Sequence, residues 1–530
     1  MKPSFLLFLA VFALSACKPS TPGSEGKADG DVTIDSAEAA TTALTTFPDT
    51  AYASVDRLQF VVEILDTATD ATLSDLADRY ANVPGNLTFR GGPLRNEPTA
   101  GSVSGTPTKI VRDWTFHTGR DDTPTSVGSF GGGSGWTGQP VYIRWTDEQV
   151  ASQRASASGL TADFGAEEII VGSLCGKVYC INFANGLASR EALDAGNPIK
   201  GSVSLDPSLS GGLYAGQGIP AHPPIGQVAF NLFSHARTFF YGPDPKAERH
   251  WGAFDSSPVA VGQFLFWPGE NGTIYKYARA GDGNLKIHTK LRYHVRGMPA
   301  AGVENSLCAY RNYGWFGDNH GNIVCVNLNT MRPVWHYDNH DDIDGSIVCE
   351  VDSATGTPYL YTACEVDRQG AQGICHFVKL NGLTGELVWE QQFPCLQLHL
   401  GGKHFDGGLY CTPLLGHGDC EGLLFASICQ PGTSHHADFV CLRRTTGEVV
   451  YRKPLEFFAW SSPVPFYNAE GQLFIVTGDS AGRLYLFRAA TGELLFKEVL
   501  GNNFESTPVP IGNALVVGSR GQEIHKFHLE

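Results

Sequence analysis

Residues 459–496 read AWSSPVPFYNAEGQLFIVTGDSAGRLYLFRAATGELLF. An aromatic residue, two serines and Pro463-Val464 open the stretch. A short β-run follows, Gly471-Gln-Leu-Phe-Ile-Val-Thr, and then the turn Asp479-Ser-Ala-Gly482. Gly supplies the positive φ that a hairpin turn needs. Arg483-Leu-Tyr-Leu-Phe alternates again, placing one face of the strand in a core. Thr491-Gly-Glu-Leu-Leu-Phe496 closes the unit. The pattern predicts a module of four short strands joined by tight turns.

The opening phrase recurs along the chain. It stands as Trp136-Thr-Gly-Gln-Pro-Val, Phe254-Asp-Ser-Ser-Pro-Val, Val295-Arg-Gly-Met-Pro-Ala and Phe504-Glu-Ser-Thr-Pro-Val. Looser copies are Ile199-Lys-Gly-Ser-Val-Ser, Ile343-Asp-Gly-Ser-Ile-Val and Leu409-Tyr-Cys-Thr-Pro-Leu. Counting the copy at Ala459, the mean spacing is about 53 residues, in the range of propeller repeats. Thr384-Gly-Glu-Leu-Val-Trp389 and Thr446-Gly-Glu-Val-Val-Tyr451 repeat the closing phrase. Eight units of four strands describe an all-β, eight-bladed β-propeller over residues 108–530. The last unit runs out of chain before its outer strand, and Lys109-Ile-Val-Arg-Asp-Trp-Thr-Phe116 reads like one. Residues 108–118 are therefore expected to complete the final blade and protect its open edge.

Composition agrees. The 530 residues include 62 glycines, 31 phenylalanines and 18 tyrosines but 3 methionines, which suits many strands and turns. Charged residues make up 17%, too few for a long disordered or coiled-coil chain. The formal charge of −16 argues against a nucleic-acid partner, because phosphate binding needs an excess of Lys and Arg.

The Thr-Gly-Glu-x-x-Trp and Ser-Ser-Pro-Val phrases resemble the pyrroloquinoline-quinone-type propeller repeat family. That family holds quinoprotein alcohol and sugar dehydrogenases. It also holds cofactor-free lipoproteins, among them the propeller subunit of the outer-membrane barrel-assembly machinery. The repeat speaks for the fold and little for function, since sites are grafted on such scaffolds.

Residues 1–17 read MKPSFLLFLAVFALSAC: a positive start, an apolar stretch too short to span a bilayer, then small residues. Leu14-Ser-Ala-Cys17 resembles the bacterial lipoprotein signal, which implies lipidation at Cys17. Lys18 stands where an inner-membrane retention signal would place Asp, so the resemblance favours the outer membrane. Residues 18–50, rich in small polar residues, read as a flexible tether, and 51–107 as a small N-terminal cap or extension. The expected location is the cell envelope, held there by the lipid.

The 12 cysteines after Cys17 permit disulfides in an exported protein, with Cys175/Cys180 and Cys411/Cys420 as local candidates. Cys180, Cys325 and Cys441 occupy equivalent strand positions and also read as compact core residues. No Cys-x-x-Cys occurs, which removes a thioredoxin-like pair and a covalent c-type haem.

The variable residue of each opening phrase should lie at the mouth of the central channel. The expected ring is Thr137, Lys200, Asp255, Arg296, Asp344, Tyr410, Trp460 and Glu505, with Asp406 competing with Tyr410 for register. Cations and carboxylates converging there would bind a polar ligand or a partner's loop, or simply pair with one another around water. The run Tyr337-Asp-Asn-His-Asp-Asp-Ile-Asp344 is rich in carboxylates but fails as an EF loop, with His340 first and Val351 twelfth; a solvated acidic turn is expected, with an irregular cation site as the alternative. His399, His404, His417, His435 and His436 cluster in one unit without zinc-site spacing. Hydrolase, metalloprotease and nucleotide-binding motifs are missing. Trp114, Trp335 and Trp389 read as packing between blades.

Two function classes follow. One is a membrane-anchored propeller binding a protein or extracellular ligand, with no catalytic residue, metal or cofactor expected. The alternative is a quinoprotein dehydrogenase with pyrroloquinoline quinone and calcium in the channel. The resemblance implies an adjacent Cys-Cys pair for that family's membrane alcohol enzymes, and no two cysteines are adjacent here.

Overall fold

The computed structural model describes residues 47, 55–74, 80, 83–97, 99–136, 138–400, 403–432 and 436–530, with backbone only at 399–400 and 403–404. The signal with Cys17, the tether apart from Phe47, Thr137 and His435 lie outside the described residues. Eight antiparallel sheets follow one another along the chain as the blades of a closed β-propeller. The innermost strands of blades 1 to 4 begin at Val141, Ser204, Val259 and Cys308; those of blades 5 to 8 begin at Val348, Leu414, Val464 and Val509. The only α-helix among the described residues, Asp147–Ser156, sits in a loop of blade 1 and is capped by Thr146 and Gln149.

Blade 8 is completed from the other end of the chain. Ile110–His117 pairs antiparallel with Glu523–Leu529, Phe116 opposite Ile524 and Trp114 opposite Lys526. Closure is also visible in the core, which is divided into layers, one at each blade boundary. Ile169, Val171 and Ile181 of blade 1 pack on Val509, Val516 and Ile524 of blade 8. Apolar strand faces are thus buried between neighbouring blades rather than in one central mass.

Both repeated phrases serve those boundaries. The hydroxyl of the opening phrase accepts a backbone N–H from the preceding blade: Ser257 N–H donates to Ser306 Oγ at 2.9 Å, Ser306 N–H to Ser346 Oγ at 2.9 Å and Thr412 N–H to Ser462 Oγ at 2.9 Å. In the closing phrase, the Trp335 indole N–H donates to the Gly382 carbonyl at 3.0 Å and that of Trp389 to the Arg444 carbonyl at 2.8 Å, each one blade onward. Trp114 does the same toward Phe183 of blade 1, at 3.0 Å across the seam.

The described residues between 55 and 102 are woven into this wheel. Leu58–Ile64 adds a fifth strand to the outer edge of blade 3, Leu58 opposite Val295. Residues 85–97 then cross the hub. Gly85–Asn86 pairs with the inner strand of blade 1. Backbone N–H groups of Leu205, Ala309 and Cys349 donate to the carbonyls of Leu87, Pro93 and Leu94 at 2.8, 2.7 and 3.0 Å. The buried Arg95 guanidinium donates to Leu307 and Ser257 carbonyls at 2.9 and 3.0 Å, and Arg90 to Pro463 and Pro413 at 2.8 and 3.0 Å. Gly101–Ser102 runs parallel to the inner strand of blade 7, and Ser102 N–H reaches the Gly512 carbonyl of blade 8 at 2.7 Å. Every blade therefore touches this segment, which forms a floor across the channel.

Candidate functional site at the channel mouth

The residue three places before the recurring proline position stands just ahead of each inner strand, on the open side of the floor. Lys200, Asp255, Asp344, Tyr410, Trp460 and Glu505 all occupy it. Arg296 does not. It lies exposed in the turn after the outer strand of blade 3, where Met298 N–H closes on the Val295 carbonyl at 2.8 Å and the Arg296 side chain reaches the Asp56 carbonyl at 3.4 Å. Val295-Arg-Gly-Met-Pro mimics the opening phrase because a Gly turn followed by Pro also serves a hairpin exit. The true copy is Val303-Glu304-Asn-Ser-Leu, which lacks the proline. Glu304 takes the place assigned to Arg296, so a carboxylate replaces a cation. Asp406 is outside the ring, accepting from Gln397 Nε2 at 2.7 Å, while burial lifts its carboxyl to about 7.

Three carboxylates gather on blades 3 and 4. Asp255, Glu270 and Glu304 each place an oxygen within 4.8 Å of the others. Glu270 comes from the turn Pro268-Gly-Glu-Asn-Gly272, and its Oε2 accepts from the Trp251 indole at 2.7 Å. Its Oε1 is buried without a hydrogen-bond partner. Burial, then repulsion from Glu304 and Asp255, pushes the Glu270 carboxyl well above the usual carboxylate range. Burial raises Glu304 too, against the attraction of Lys200. The Lys200 ammonium pairs with the buried Asp255 carboxylate. Burial by itself would lower Lys200, but Asp255, Glu270 and Glu304 more than reverse this and hold its proton above the ordinary lysine value.

A second acidic group lies on blade 5. Burial and mutual repulsion raise Asp342, Asp344 and Glu365 well above the ordinary carboxylate range. The run expected to be a solvated acidic turn is thus divided and largely buried. Asp341 accepts the backbone N–H groups of Asp367 and Arg368, both at 3.1 Å, while Asp342 and Asp344 join the mouth.

The opposite side of the ring is aromatic. Tyr410 lies against Trp460 with ring centroids 5.2 Å apart, and edge-on to Trp136 at 6.5 Å. Both indole N–H groups, of Trp136 and Trp460, are buried without partners. Lys200 Nζ stands 5.8 Å from the Trp136 ring centroid, so the chain's own ammonium already bridges the acidic and aromatic sides. On blade 8, Glu505 is satisfied by Asn503 at 2.6 Å and Arg520 at 3.5 Å. Glu270, Glu304 and Glu365 escaped the sequence reading; only the Asn-Ser after Glu304 marked that copy.

This donor set fits a cation. Asp255, Glu270 and Glu304 would hold a hard metal ion through oxygen, and the Glu270 Oε1 atom is free to bind it. It does not fit pyrroloquinoline quinone, a flat tri-acid. Carboxylates outnumber the cations Lys200, Arg249 and Arg520 at the mouth.

The 12 described cysteines, Cys175 to Cys441, are free thiols, and the two expected pairs are not formed. Cys175 faces the Tyr179 hydroxyl at 3.4 Å, whereas Cys180, next along the strand from Tyr179, points to the opposite face and packs between blades 1 and 2. Cys411 packs between blades 5 and 6, and Cys420 between blades 6 and 7. Cys180, Cys325 and Cys441 are buried core residues, as the repeat implied. Among the histidines, His417 pairs with Glu421 at 3.2 Å and His436 meets the Leu455 carbonyl at 3.3 Å, each without a metal-like neighbourhood.

No protein-family model matches the sequence, and no curated protein matches it. Solved structures do. A europium-containing methanol dehydrogenase aligns with TM-score 0.56 at 12% identity, over 84% of this chain and 91% of its own. The quinohemoprotein alcohol dehydrogenase of Comamonas testosteroni aligns with TM-score 0.56 at 12% identity, over 85% and 81%. BamB of Moraxella catarrhalis aligns with TM-score 0.47 at 15% identity, over 70% and 98%. At such identities the dehydrogenase likeness is one of fold: this chain is an eight-bladed β-propeller with the architecture of the quinoprotein dehydrogenases.

Proposed function

We propose that this protein is a lipid-anchored propeller of the cell envelope that acts as a binding module, receiving a cationic group of a protein partner or extracellular ligand at its channel mouth. The observation that carries the reading is the pairing of a carboxylate-lined side (Asp255, Glu270, Glu304, Asp342, Asp344, Glu365) with an aromatic side (Trp136, Tyr410, Trp460). Lys200 shows which kind of group such a mouth accepts: an ammonium held by carboxylates beside an indole face. The floor built by residues 85–97 closes the other end, so only one propeller face offers the site. A lysine or arginine of a partner would enter it, and the partly exposed Glu304 and Asp342 would meet it first.

The test is capture from detergent-solubilised envelopes by the wild type, by the E304K/D342K variant, and by E498K on the outer strand of blade 7. A partner held by the wild type and by E498K but lost by E304K/D342K supports the reading. The same proteins recovered by all three chains would overturn it.

A further inference from the structure

Blades 4 and 5 meet at the hub through the inner strands Cys308–Tyr310 and Val348–Val351. Their first two positions are Val-Tyr, Ser-Leu, Val-Ala, Leu-Leu, Val-Pro and Val-Pro in the other six blades. A first-position cysteine in blade 4 and a second-position cysteine in blade 5 therefore occur only at this boundary. Both side chains are fully buried in the same apolar layer. The two inner strands lie against each other at the hub, and Cys308 is near enough to help raise the Cys349 thiol. One acceptor seats them both: the Leu94 carbonyl of the hub floor takes the Cys349 N–H at 3.0 Å and the Cys308 thiol at 3.5 Å. Two residues upstream, the Ser306 N–H to Ser346 Oγ bond at 2.9 Å fixes the two strands against each other.

We propose that Cys308 and Cys349 form a disulfide joining blade 4 to blade 5 when the folding chain meets an oxidant that itself carries a disulfide. The oxidant's S–S bond breaks and the Cys308–Cys349 S–S bond forms. Two electrons pass from the cysteine sulfurs to the oxidant, which leaves as two thiols carrying the two cysteine protons. Burial pushes the Cys349 thiol well above its usual value, so exchange occurs before the boundary closes. The bridge then sits opposite the noncovalent seam between blades 8 and 1 and fastens the half of the ring that the chain ends do not lock.

The experiment folds the full chain in a buffer of reduced and oxidised glutathione, alkylates free thiols under denaturing conditions, and maps peptides by mass spectrometry. The expected result is one linked pair, Cys308 with Cys349, and alkylation at the remaining cysteines. The oxidised wild type should also melt several degrees higher than the reduced protein, a difference lost in C308A/C349A. Alkylation of both Cys308 and Cys349 in the oxidised wild type, or linkage of either to another cysteine, would overturn the proposal. That mapping needs no variant, so it decides the matter even where C308A/C349A folds poorly.

Discussion

Gly385 of blade 5 lies flat on the indole of Trp335 of blade 4, so close that a Cβ at Gly385 would stand 2.7 Å from the ring. The same relation holds between Gly447 and Trp389, and across the seam between Gly186 and Trp114. Each of these glycines also has a positive φ, 74° at Gly385. The Thr-Gly-Glu phrase is therefore an intermolecular-like contact made within one chain: the turn of one blade receives the tryptophan of the blade before it.

That relation sets a first prediction. Gly385→Ala suffers both the left-handed backbone and the collision with Trp335, and should cost about 2–4 kcal/mol in urea unfolding. Gly356 shares the positive φ, 70°, with open space around it. Gly356→Ala should cost only about 1 kcal/mol. Equal costs for the two variants would show that the tryptophan contact adds nothing.

The hub floor should behave as a structural bolt. Arg90 and Glu97 are fully buried and paired at 3.3 Å, with Gln139 Nε2 also donating to Glu97 at 3.2 Å. Arg90→Ala strands a buried carboxylate and should destabilise the ring by about 3–5 kcal/mol, whereas R90M/E97M should recover much of that loss. A double-mutant cycle by chemical denaturation measures the coupling, and additive single losses would contradict it.

Asp406 makes the pH dependence readable. Its carboxyl is raised to about 7 in the folded protein, so between its unfolded value near 4 and about 7 the folded state holds a proton that the unfolded state has released. Its stabilising share is complete below about pH 4 and is lost as pH rises through about 7. Asp406→Asn should therefore match the wild type near pH 4 and melt higher than it near pH 8. A gap between the two that does not vary with pH would refute the assignment.

Glu270 and Glu304 at the mouth shift in the same direction, and there a cation should substitute for protons. Calcium or terbium at a hundredfold excess over Kd should stabilise the wild type by about 2.7 kcal/mol at pH 7.5. At pH 4.5 the effect should largely vanish, because Glu270, Glu304 and their neighbours then bind protons instead. E270Q/E304Q should abolish the stabilisation at pH 7.5 while retaining the fold, by thermal melting and circular dichroism. Stabilisation of equal size in E270Q/E304Q would place the ion elsewhere.

Most of the wheel was legible before any coordinates. The phrases around Ser461-Ser462 and Thr491-Gly492 recur because every blade boundary needs the same hydroxyl latch and the same glycine under an aromatic ring. The incomplete final unit pointed to the strand at Ile110–His117 for the same reason: an exposed edge must be paired. The looser copies at Ile199 and Ile343 still placed Lys200 and Asp344 ahead of an inner strand, whereas the proline-bearing copy at Val295 misled, because a Gly turn before a proline imitates the phrase there. The floor was not legible. Arg90 and Arg95 bind backbone carbonyls, which every residue carries and no sequence pattern marks.

Strand spacing, turn chemistry and hydrophobic alternation are local quantities, so the chain's own letters determined the module, its repetition and the closure of the ring. Which charges meet at the axle is a different matter. Asp255, Glu270, Glu304 and Glu365 are brought to the mouth by the curvature of the ring, and the raised carboxyls of Glu270, Glu304 and Glu365 arise from burial that removes water from them at once. Only the tertiary structure decides that, because the cost of crowding buried carboxylates depends on distances through space rather than along the chain.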